Sequence, residues 1–129
     1  ETDKALHMYT LGRNNYYNGY MAVPDSNLMV QDDGVTFIAF DYENLVRLRK
    51  LLPEQSAQFL ISQYTDWLVD TLKRNNLDLD IYYKAITPER VKELHDNGIE
   101  VNVWTVDTLD AAAQMMALGV DYITTNILE

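Results

Sequence analysis

Trp104-Thr105 and Thr124-Thr125-Asn126 are the groups in this chain best placed to do chemistry. Each closes a run of apolar and β-branched residues, beginning at Val101 in one case and at Val120 in the other. Each therefore reads as the polar end of a buried parallel strand. The residues between the two runs are just enough for one right-handed helical crossover. In a barrel of alternating strands and helices, the carboxyl ends of the strands carry the reacting groups. Trp104 would then offer an apolar wall to a small ligand, with Thr105, Thr124 and Asn126 lining the same site. The plain alternative for Trp104 is burial in the barrel mouth, where large aromatics commonly pack. Proton transfer near neutral pH asks for histidine, and the chain has only His7 and His95. His95 falls in a helical pattern and reads as outer surface or packing, which leaves His7 as the weaker-placed catalytic candidate.

A regular alternation of elements must position these groups. Candidate strands begin near Thr36, Gln58, Leu79, Val101 and Asp121, at intervals of 20 to 22 residues. Helical signals fill the gaps. Asp41 can cap a helix with the apolar stripe Leu45, Leu48 and Leu52, stopped by Pro53. Asp66 to about Asn75 forms a shorter helix that buries Leu68 and Leu72. Thr87-Pro88 supplies a cap and first-turn proline, and Gly98 an exit. Thr108 or Asp107 opens a last helix with Leu109, Ala112 and Met116 on its buried stripe, closed by Gly119; Met115 and Met116 read as core.

Strand, helix, strand at this pitch predicts an α/β fold, most simply part of a (β/α)8 TIM-type barrel with about five or six parallel units. Residues 1–34 break the rhythm: Tyr16, Tyr17 and Tyr20 lie among asparagines, and Pro24-Asp25-Ser26 and Asp32-Asp33-Gly34 signal turns. The division is therefore an irregular amino-terminal segment, 1–34, and βα units over 35–129. A closed barrel needs eight strands, so two or three are missing. The chain is then a fragment lacking an amino-terminal barrel portion, completes itself by self-association, or forms an open doubly wound parallel sheet.

Composition narrows the partners. The 129 residues are 47% hydrophobic, which argues for a folded domain with a real core. No run approaches the roughly 20 apolar residues of a membrane span. With no cysteine there is neither a disulfide nor a thiolate metal site, so the compartment stays unknown. The chain lacks a starting methionine and a visible targeting segment, which points to a soluble, processed or incomplete chain. A net charge of −10 disfavours nucleic acid and anionic lipid surfaces. Phosphate chemistry would need a bound metal or clustered basic residues to reverse the local field, and the ten Lys and Arg are scattered along the sequence.

Several motifs occur in order. Phe37-Ile38-Ala39-Phe40-Asp41 leads into Leu45, Leu48 and Leu51-Leu52-Pro53; Val91, Leu94, His95 and Gly98 lead into Val101-Asn102-Val103-Trp104-Thr105-Val106-Asp107; Gly119-Val120-Asp121 precedes Ile123-Thr124-Thr125-Asn126. Together these resemble the carboxyl-terminal part of the glycerophosphodiester phosphodiesterase family, over about the last 90 residues. Closing strands of this kind also occur in lipase-like and sphingomyelinase-D-like barrel relatives.

The resemblance implies a barrel that hydrolyses a small-molecule phosphodiester, such as glycerophosphocholine, to glycerol 3-phosphate and an alcohol. It implies a divalent metal, calcium or magnesium, held by acidic residues, with two histidines as general acid and base. The family's His-Arg-Gly and His-Asp motifs are absent here, so the chain alone is expected to be inactive. Glu1 and Lys4 would correspond to the family's Glu-x-Lys motif, a metal-binding glutamate and a phosphate-facing lysine, at a spacing one residue too long; alternatively, Glu1 and Asp3 would correspond to its metal-binding Glu-x-Asp, without the His-Asp that should follow. A solvated terminus is the alternative for all three. Trp104 and Phe40 would line the substrate. Lys84, beside Tyr82 and Tyr83, would face a phosphate or remain a solvated loop lysine.

Overall fold

Local capping chemistry sets where most of the helices begin. In a computed structural model that describes residues 36–126, Asp41 accepts a hydrogen bond from the Glu43 N–H at 3.0 Å and opens α1, Tyr42–Leu51. The Thr87 hydroxyl accepts from Arg90 N–H at 3.2 Å and, with Pro88 in the first turn, opens α3, Pro88–Asp96. Thr108 accepts from Ala111 N–H at 3.1 Å and opens α4, Leu109–Leu118. Such caps satisfy N–H groups that the first turn leaves without partners. The shorter α2, Leu68–Arg74, starts two residues later than its acidic signal suggests and has no side-chain cap.

Two glycines close helices in the left-handed conformation. Gly98 has φ 74° and Gly119 φ 89°, and in each case the next residue's N–H returns to a carbonyl five positions back. This is the arrangement that satisfies the last helical carbonyls, and a Cβ would strain it.

The strands are β1 Phe37–Ala39, β2 Ala57–Ile61, β3 Asp78–Tyr82, β4 Val101–Trp104 and β5 Tyr122–Ile123. They pair in parallel and in chain order, β1-β2-β3-β4-β5, each neighbour reached through one helix. A doubly wound sheet reverses its strand order at a switch point; the five described strands do not. The architecture is that of consecutive staves of one barrel wall, as the strand spacing predicts.

Side chains alternate across that wall. Leu79, Ile81, Val101 and Val103 are fully buried in the larger apolar cluster, together with Leu45, Leu48, Leu68, Leu72 and Leu94 from the helices. Burying each such leucine stabilises the fold by about 2 kcal/mol. The opposite, concave face has its own small cluster, in which Ile38 of β1 meets Tyr122 of β5 with Leu60 against them. First and last strands can touch side chains in this way only if the sheet curls strongly.

One expected stripe is displaced. Ala112 and Met115 are buried on α4, whereas Leu109 and Met116 are 77% and 67% exposed. The helix, Leu-Asp-Ala-Ala-Ala-Gln-Met-Met-Ala-Leu, is apolar on most sides, so its periodicity does not say which face docks.

Candidate strand-end site

The carboxyl ends of the strands bring aromatic residues together on the concave side. Tyr82 and Trp104 are register partners on β3 and β4. Their ring centroids are 5.4 Å apart with planes inclined by 42°, so the rings open as a corner instead of stacking. Both are half-buried. The Trp104 indole N–H donates to the Asp80 carbonyl at 3.2 Å, and Tyr83 packs edge-on against Tyr82 with centroids 5.4 Å apart. These contacts fix both rings. The Lys84 ammonium turns toward Tyr83 instead, 5.9 Å from its ring centroid.

Below this corner runs a polar layer that sequence reading passed over. Thr124 Oγ1 donates to Asn102 Oδ1 at 2.9 Å, and Asn102 Nδ2 donates to Gln58 Oε1 at 2.9 Å. All three residues are buried. Asp80 lies on the strand between Gln58 and Asn102, with its Oδ1 unpartnered and the residue 2% exposed. Burial pushes its carboxyl up to about 8, because a desolvated charge without a partner is costly. The available signal was spacing: Gln58, Asp80, Asn102 and Thr124 recur every 22 residues, one polar group per stave.

The remaining rim residues are tied locally. Asp107 accepts from the Asn126 backbone N–H at 2.8 Å, the Asn126 amide at 3.2 Å and the Thr125 hydroxyl at 3.1 Å. The backbone bond above all, with the two side chains, holds its carboxyl below the usual range. Thr124 and Asn126 thus share the rim with Trp104 but spend hydrogen bonds on the wall itself. Thr105 is half-buried beside them. Phe40 stands at the same end of β1, 51% exposed.

His95 is not part of this site. It ends α3 at the opposite, amino-terminal end of the sheet, where Nε2 meets Asp121 Oδ2 at 2.8 Å. Asp121 also accepts from the Val101 N–H at 2.8 Å, so the pair anchors the start of β5 to β4. At the same end Asp78 is pushed up to about 6, chiefly by burial and further by Glu100 and Asp121, against the Glu100 N–H and Arg49. A shallow depression along Glu89, Glu93 and Asp96 lies on the outer helix α3, away from the strand ends.

Glu1, Asp3, Lys4 and His7 lie outside the described residues. Among the described residues, no three His, Cys, Asp or Glu side chains come together as metal ligands. The described rim therefore does not by itself fit a divalent metal, and Asp80, its one fully buried carboxyl, stands alone. Its groups can hold an organic moiety against two rings and donate hydrogen bonds; among the described residues it holds no histidine to move a proton.

A model described as the glycerophosphoryl diester phosphodiesterase family matches residues 7–129, beginning just downstream of Glu1, Asp3 and Lys4. No curated protein matches the chain. A glycerophosphodiester phosphodiesterase from Parabacteroides distasonis is 30% identical, with a TM-score of 0.63 over 70% of this chain and 38% of its own. An Oleispira antarctica phosphodiesterase, solved with the product sn-glycerol-3-phosphate, is 21% identical; the match covers 70% of this chain and 37% of that one, with a TM-score of 0.67. The chain thus spans well under half the length of either relative.

Proposed function

Because the chain belongs to the glycerophosphoryl diester phosphodiesterase family, we propose that its βα units form the carboxyl-terminal wall of a metal-dependent enzyme that hydrolyses glycerophosphodiesters to glycerol 3-phosphate and an alcohol. The family match over residues 7–129 carries this reading. The curled parallel wall with Trp104 at its carboxyl rim is the geometry such chemistry uses.

In this reading Trp104 and Phe40 shield the organic part of the substrate from water and orient it, and Lys4 faces the phosphate. Glu1 and Asp3 would offer the oxygen ligands that calcium or magnesium takes. A bound cation would neutralise charge developing on the phosphoryl oxygens. The acid and base are a different matter. His95 is held at the wrong end of the sheet, and neither paired-histidine motif is in the sequence. The 129-residue chain by itself is therefore inactive in this reading.

Two measurements test it. In a Trp67→Phe background Trp104 is the sole tryptophan, and sn-glycerol 3-phosphate should change its emission. Glycerophosphocholine with calcium should show no turnover by the chain alone. An indifferent Trp104 sinks the proposed pocket, and calcium-dependent turnover overturns the inactivity.

The second reading is a noncatalytic partial barrel that assembles with itself. Leu109 and Met116 favour it, since α4 leaves both exposed. Exposed apolar side chains invite association. The mass in solution decides: a dimer supports this reading, and a stable monomer at high concentration removes it.

A further inference from the structure

We propose that Asn97-Gly98 is a spontaneous modification site, where the fold sets how fast an asparagine becomes aspartate or isoaspartate. The site closes α3 at the end of the sheet opposite the rim, and it is independent of the phosphodiester chemistry.

Asparagine is a thermally labile side chain, and a following glycine makes it most so. The Gly98 backbone nitrogen bonds to Asn97 Cγ and gives its proton to water, and the side-chain nitrogen departs as ammonia. A five-membered imide is left. Water opens it at either carbonyl, giving aspartate or isoaspartate, whose backbone is one carbon longer. A Cβ on the following residue would obstruct this attack, and glycine has none. Gly98 is exposed, and among the described residues nothing lies within 4 Å of the place a Cβ would take.

Both reacting groups are engaged elsewhere in the closed fold. The Gly98 N–H donates to the His95 carbonyl at 3.0 Å. Asn97 Nδ2 donates to the Glu93 carbonyl at 2.8 Å, and its Oδ1 accepts from the Lys73 ammonium of α2 at 3.1 Å. Just beyond, the Ile99 N–H returns to the Leu94 carbonyl at 2.9 Å. Attack needs the nitrogen aligned on the carbonyl carbon, and these bonds must part first. The reaction therefore runs through a local opening of the α3 exit, where few hydrogen bonds have to break.

The product acts on the wall. Next in the chain is Glu100, whose N–H donates to Asp78 Oδ1 at 2.8 Å and whose carbonyl accepts from the Leu79 N–H at 3.0 Å. Pairing of β4 with β3 begins there. The extra carbon of isoaspartate displaces Ile99, which is buried, and loosens that start. Aspartate keeps the backbone and sets a carboxylate against Lys73, so it is the milder product.

Ageing the chain at mildly alkaline pH, folded and in unfolding urea, tests the proposal. Peptide mapping is needed because Asn18-Gly19, outside the described residues, carries the same pair. Asn97 should convert in both samples, at least about tenfold more slowly in the folded one. The folded rate should rise in step with hydrogen exchange of the Gly98 N–H as temperature is raised. Equal rates in the two samples overturn the proposal, and so does an Asn97 that stays intact while the Gly98 N–H exchanges freely. Neither comparison needs a variant to fold. Asn97→Asp should melt within a few degrees of the parent, and the purified isoaspartate form distinctly lower. An isoaspartate form as stable as the parent overturns the effect on β4.

Discussion

The Asn102 amide crosses over β3 to donate to the Gln58 side-chain oxygen at 2.9 Å, joining residues 44 positions apart. Thr124 completes the chain by donating to the other end of the same amide. One buried side chain therefore ties β2, β4 and the end of β5 together across the concave face. Replacing Asn102 with Leu removes the bonds that Gln58 and Thr124 make to it inside the buried layer. We expect a loss of about 2–3 kcal/mol in urea unfolding, and a smaller loss for Thr124→Val, which removes only the end link. A Leu variant as stable as the parent chain would show that the layer is solvated in solution.

Asp80 makes stability depend on pH. Its folded-state carboxyl titrates at about 8, against 3.8 for the free group, so the folded chain keeps a proton that the unfolded chain has released. Unfolding then releases a proton across this window, and stability falls as pH rises from about 4 to about 8. Asp78, raised to about 6, acts in the same direction over the lower part of that range. Asp80→Asn should flatten the slope, so its stability relative to the parent should improve steadily toward pH 8. Parallel pH profiles for the two proteins would contradict this.

Arg49 acts as a clamp between two loops. Its guanidinium donates to the carbonyls of Leu52, Pro53, Gln55, Asn75 and Asn76 at 2.7 to 3.0 Å. A planar fork can serve five acceptors in this way, and a lysine ammonium cannot. Arg49→Lys should therefore destabilise the chain by about 1–3 kcal/mol although the charge is kept. Hydrogen exchange should quicken at the ends of α1 and α2 before it does so elsewhere.

The exposed face of α4 separates packing from association. Leu109→Glu with Met116→Lys removes two side chains that contribute little to the core, so the melting temperature of a monomer should move by no more than a few degrees. If the chain self-associates through this face, the same double variant should sediment as a monomer. Continued dimerisation would place the interface elsewhere.

The element order was legible because its signals are local. Asp41, Thr87 and Thr108 cap their own helices, Gly98 and Gly119 end theirs, and the strands recur at nearly constant intervals. Trp104 could be placed at a strand end for the same reason, and the resemblance resting on those motifs agrees with the family match. The identity of each stave and its direction thus belong to the chain read in one dimension.

What only the tertiary structure decided is which side chains meet. Period alone could not choose Met115 over Met116, because α4 is apolar nearly all round and its docking face depends on the strands beneath it. The Tyr82–Trp104 corner and the Gln58–Asn102–Thr124 layer each need the 22-residue repeat converted into neighbouring staves of a curled sheet. Those contacts form between residues distant in sequence, and parallel register together with curvature, neither encoded in any single segment, brings them within reach.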